Sequence, residues 1–178
     1  MTRRIYLCSA LALLIASGTV GHAAETLRIV PITSDNSVVV SVELADAYNN
    51  DIRQAIASGL RTQFTYDIEL RMIVPAWVDR TIASAVVNIS DQYDNLTRRH
   101  TLSRLVDGRV QETITTDDDA VVRQWLTTLT RLPLCETSKL DPNRDYYVRI
   151  SARTRPYGNS ILGWTSAVTG QAKFTFIP

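Results

Sequence analysis

The sequence is poor in the residues that most often carry chemistry or covalent staples. It holds two cysteines, Cys8 and Cys135, and two histidines, His22 and His100. Zinc sites want three or four Cys/His ligands, so these residues point away from one. Neither sign of charge prevails, with 19 Lys plus Arg against 18 Asp plus Glu. That balance argues against a dedicated nucleic-acid binder, which needs a basic surplus. Phosphate-loop, dinucleotide, Gly-x-Ser-x-Gly and His-Glu-x-x-His patterns do not occur. The residues therefore assign no catalytic, cofactor-binding or metal position, and no cofactor is expected.

What is there begins at the N-terminus. Arg3 and Arg4 precede an uncharged apolar run of 12 residues, Ile5 to Ala16. Ser17, Gly18, Gly21 and Ala23-Ala24 follow. Charge, apolar stretch and small-residue exit form the pattern of a cleavable signal peptide. Gly21 and Ala23 meet the small-x-small rule, so residues 1–23 are read as the signal, with cleavage after Ala24 as the poorer alternative. The run is short for a membrane anchor, which needs about 20 apolar residues. Cys8 lies too near the start of the run to be a lipid-modified cysteine. Export places the chain in the periplasm or outside the cell.

Residues 24–178 are read as one domain. Seventeen basic and 18 acidic residues remain there, a net charge of −1, together with one cysteine. No intramolecular disulfide is then possible, and stability must come from a core. Cys135, beside Leu132-Pro133-Leu134, is read as a small buried hydrophobe.

Period-two patterning dominates this domain. Leu60, Thr62, Phe64, Tyr66, Ile68, Leu70, Met72 and Val74 share one face, and seven of those eight are apolar. The other face is nearly all polar, so a long half-buried strand is expected, with a bend or bulge. Further strands are expected over 38–44, 81–93, 98–106, 110–116, 146–154 and 172–176. Asp107-Gly108 marks a tight hairpin. One helix is expected from a cap at Asn50 or Asp51 to Gly59. A second is expected over 119–131, with Pro133 stopping its continuation. Asp117-Asp118-Asp119 is read as the cap and acidic first turn of that second helix rather than a cation site. The fold class is mainly β (α+β), an antiparallel β-sandwich-like domain with two helices.

Binding candidates lie late in the chain. Arg149, Arg153 and Arg155 share the wet face of a strand, where guanidinium groups can grip carboxylates or phosphates. The alternative is pairing with Asp67 and Glu69 on a neighbouring strand. Residues 156–170 read as a loop whose Tyr157 and Trp164 are further interaction candidates, or fold back over an open end of the sandwich. Asp67 with Glu69, or Cys135, would carry a hydrolase reading; nothing local brings His100 to Cys135.

The stretches AIASGLRTQFTYDIELR at 55–71, PAWVDRTIAS at 75–84, YDNLTRRHTLSR at 93–104, DGRV at 107–110 and YYVRISAR at 146–153, with Trp164, resemble the bacterial domain of unknown function 4390 family. The resemblance spans most of residues 26–178. It implies an exported, uncharacterised domain with a role in the envelope, where such families are often encoded near membrane sensor kinases. It supplies no catalytic residues. The expected function is a non-catalytic module that contacts an envelope or membrane protein. The alternatives are a binder of lipid or another small apolar or anionic ligand, and a hydrolase.

Overall fold

The computed structural model describes residues 26–156 and 166–177. Two antiparallel sheets pack face to face around one core. The smaller holds β1 (Thr26–Ser34), β2 (Ser37–Ala45) and β7 (Thr128–Glu136) in the order β1-β2-β7. The larger runs β6-β5-β4-β3-β8-β9, from β3 (Thr62–Met72), β4 (Arg80–Asp94), β5 (Arg99–Val106), β6 (Arg109–Thr116), β8 (Asp145–Pro156) and β9 (Ser166–Thr175). Helices α1 (Asn50–Ala57) and α2 (Asp119–Thr127) complete the fold.

The period-two reading of β3 holds. Phe64, Tyr66, Ile68 and Leu70 are buried against Val38, Val40, Val42 and Leu44 of β2 and Tyr146, Val148, Ile150 and Ala152 of β8. Fully burying one such side chain contributes about 1.5–3 kcal/mol, so this interleaved patch dominates the stability. The expected irregularity falls between Leu70 and Arg71, where the register against β4 skips Ile82. Asp107 and Gly108 both have positive φ, the geometry of the tight two-residue hairpin.

Helix α2 wedges between the sheets, touching β2, β3, β4, β5 and β7 and burying Val122 and Leu126. Asp118 caps it by accepting from the Ala120 amide at 2.8 Å, as the Asp run predicts. The buried Tyr66 hydroxyl donates to the Leu126 carbonyl at 2.8 Å and satisfies one of the helix's terminal acceptors.

Several elements differ from the sequence reading. Helix α2 ends at Thr127, not 131, and the chain enters β7 at once, with Pro133 inside that strand. Pairing of β7 with β2 supplies the backbone partners that a helix tail would otherwise have made. The α1 cap is Asn49, whose side chain accepts from the Ile52 amide. The last strand starts at Ser166 rather than 172. A strand at 26–34 was not foreseen: Pro31 interrupts its pattern, and at a sheet edge its residues are exposed or at most half-buried.

Candidate functional site

The arginine face lies on the outer side of the larger sheet. Cross-strand register places Arg149 opposite Glu69, Arg153 opposite Thr65 and Arg155 opposite Gln63. Arg153 forms an ion pair with Asp67. Glu69 faces Arg71 at 3.8 Å instead of Arg149. The expected pairing of this row with Asp67 and Glu69 is thus met by Arg153 alone, and Arg149 has no ion-pair partner among the described residues. The surrounding polar side chains are tied laterally. Gln63 and Thr65 both donate to the Asn88 amide oxygen, at 2.8 and 2.9 Å. Arg61 donates to Ser90 at 3.1 Å, and Tyr147 donates to Asp79 at 2.9 Å. Tyr157 and Trp164 lie outside the described residues.

A second constellation sits on the inner face. Asp91 of β4 is fully buried, and its Oδ2 lies 2.9 Å from His100 Nδ1 on β5. The His100 ring packs on Tyr93, centroids 4.6 Å apart. Burial pushes the Asp91 carboxyl above its ordinary range, while the His100 bond pulls the other way. The Tyr48 hydroxyl donates to Asp119 at 2.5 Å. Burial first, and then that bond, push its phenol well above the usual tyrosine range.

A third feature joins β5 to α2. The Arg104 guanidinium carbon stands 4.2 Å from the Trp125 ring centroid. Both line a pocket of about 150 Å³ with Val121, Gln124, Thr128 and Thr130. Arg104 Nε and Trp125 Nε1 are buried, and no protein group among the described residues accepts from either. A buried donor left unmade costs about 1–3 kcal/mol.

The family model described as a domain of unknown function (DUF4390) matches residues 22–156. The chain belongs to the DUF4390 family. No curated protein and no solved structure matches it. The DUF4390 match covers β1 to β8, so it includes Arg149, Arg153, Arg155, Asp91, His100, Arg104 and Trp125 but not Trp164.

The hydrolase candidates are held apart from one another's chemistry. Cys135 is half-buried on β7 against the core, and burial pushes its thiol up, away from the reactive thiolate. His100 is engaged by Asp91, not Cys135, and Asp67 by Arg153. Sequence reasoning missed Asp91 and the Arg104–Trp125 contact. Asp91 had a signal: it shares parity with Val87 and Ile89, a carboxylate in phase with an apolar face. Arg104 and Trp125 carried none, because only the fold brings β5 under α2.

Proposed function

We propose that this DUF4390 protein is an exported, non-catalytic module that binds a protein partner in the bacterial envelope through the outer face of the larger sheet. The periplasm is the compartment that fits the signal-peptide pattern of residues 1–23. One observation carries the reading: side chains on that face are already fixed by hydrogen bonds, Arg61 to Ser90 and Gln63 and Thr65 to Asn88 of β4, and Arg71 and Tyr147 to Asp79 in the loop before it. Ordering loose side chains is a main cost of association. A face whose rotamers are set in advance avoids much of it. Arg149 supplies the charge on that platform, exposed and opposite a glutamate that is turned to Arg71. Its planar fork suits a carboxylate on the partner.

The test places a photo-cross-linking residue at position 149 of the full chain in its native host. A discrete envelope adduct is expected, identified by mass spectrometry and then reconstituted with the purified partner. Arg149→Glu should lower that reconstituted affinity more than ten-fold. Arg109→Glu, on the exposed edge strand β6, should leave it unchanged. Equal effects of the two substitutions, or no adduct, would sink the reading.

A further inference from the structure

Arg104 and Trp125 line one small pocket beside α2. The guanidinium lies over the indole ring, its carbon 4.2 Å from the ring centroid. Its Nε and the indole Nε1 are both buried and both lack a protein acceptor among the described residues. Gln124, Thr128 and Thr130 line the same pocket and can add polar contacts, while Val121 and the Trp125 ring give it an apolar wall. Its volume of about 150 Å³ equals the liquid share of about five water molecules. That is room for a carboxylate and the short stem behind it.

We propose that this pocket is a recognition site for a carboxylate, carried by an acidic side chain of the protein partner; the choice of carrier rests on the partner-binding reading above. Charge complementarity supports this occupant. Arg104 is half-buried, with 24% of its side chain exposed, so its charge meets a partner in partly desolvated surroundings. The chain itself shows what the guanidinium attracts. Glu112, opposite Arg104 on edge strand β6, brings Oε2 to 3.8 Å from Nη1, an ion pair beyond hydrogen-bonding distance. The register slips between Arg104 and Leu105, leaving Gln111 unpaired beside it. A partner's carboxylate entering the pocket meets the Arg104 Nη groups, which make no hydrogen bond among the described residues, while Nε and the indole N–H are themselves out of solvent reach. A flat carboxylate also matches the guanidinium fork two bonds at a time.

Strand addition is not the mode. Edge strand β7, beside the pocket, carries a register break between Val40 and Val42 of its partner, a positive φ at Arg131, and Pro133. These devices block an added strand. The pocket therefore takes a side chain, not a backbone.

Nuclear magnetic resonance of the ¹⁵N-labelled protein, expressed as the full chain and used in the form the cell yields, tests this. The probe is N-acetylglutamate N′-methylamide; the controls are the glutamine analogue and inorganic phosphate. The Trp125 indole and Arg104 Nε–H signals should move saturably with the glutamate compound and not with the glutamine one. The exposed Trp77 indole should stay still. Arg104→Lys keeps the charge but removes the fork, and should weaken binding at least ten-fold. Glu112→Gln should tighten it several-fold. No saturable movement, an equal response to glutamine, or a preference for phosphate overturns the site, whatever Arg149→Glu does. Partner capture that Arg149→Glu abolishes and Arg104→Lys leaves intact overturns the pocket and spares the outer face. Carboxylate binding without any capture supports the pocket and sinks the outer face.

Discussion

His100 and Asp91 put an ionisable pair where a strand face is otherwise apolar. The Asp91 side chain is 0% exposed and that of His100 is 11% exposed. Burial raises the Asp91 pKa, so the folded protein holds that proton more tightly than the unfolded chain does. Stability from this group is therefore full below the ordinary aspartate range and falls as pH rises through the raised value. His100 opposes the shift and limits the loss. His100→Ala should push the Asp91 pKa higher still and leave its charge buried without a partner. The expected cost at neutral pH is about 3 kcal/mol, the scale for breaking a buried pair. The deficit should shrink at pH 4, where the carboxyl takes its proton. Urea melts at the two pH values measure both. A deficit independent of pH would mean that only the contact with Tyr93 had been lost.

At the scale of elements, the sandwich is closed on one side by β1 lying on β9. Gly170 makes that approach possible. A Cβ there would stand 3.2 Å from Leu27 Cδ2 and 3.3 Å from Ile29 Cδ1. Gly170→Val should therefore force the edge of the smaller sheet outward, at about 1–3 kcal/mol for over-packing. Leu27→Ala in the same chain should recover more than half of that loss, because it empties the space the valine fills. Denaturant midpoints of the two variants decide it; a double mutant weaker than either single change would place the strain elsewhere. The same elements show why sequence reading reached some strands and not others. In β3, β5 and β8 one face is buried and the other wet, so the alternation is visible in the residues themselves. In β7, Thr128 to Glu136 carry Pro133 and follow a helix without a break, and what makes them a strand is their pairing with β2. Strand β1 is an edge that alternates between exposed and half-buried residues and leaves Val30 and Ile32 exposed, so its apolar pattern is diluted. The arginine row was legible by parity. Which arginine is left over was not, because that depends on Glu69 choosing Arg71.

For the whole molecule, the proposed export raises the question of what holds the domain. The first residue of the described fold is Thr26, at the start of β1. Removing residues 1–23 would take none of the described strands. It would remove Arg3, Arg4 and Cys8, leaving Cys135 as the one cysteine of the remaining chain. Export into an oxidising compartment usually favours disulfides as staples for small domains, and this chain would have none within it. The large shared core, with Tyr66, Tyr146 and Phe64 fully buried, is what can replace them. The expected outcome is that protein recovered from the envelope fraction has the intact mass of a chain starting at Ala24, and that its melting temperature does not change with reductant. Ala23→Lys, which breaks the small-x-small exit, should hold the precursor at the membrane at its full mass. A start at Met1 in the native protein would overturn export by cleavage. A melting temperature that falls with reductant would show that Cys135 joins two copies, and that the core alone is not enough.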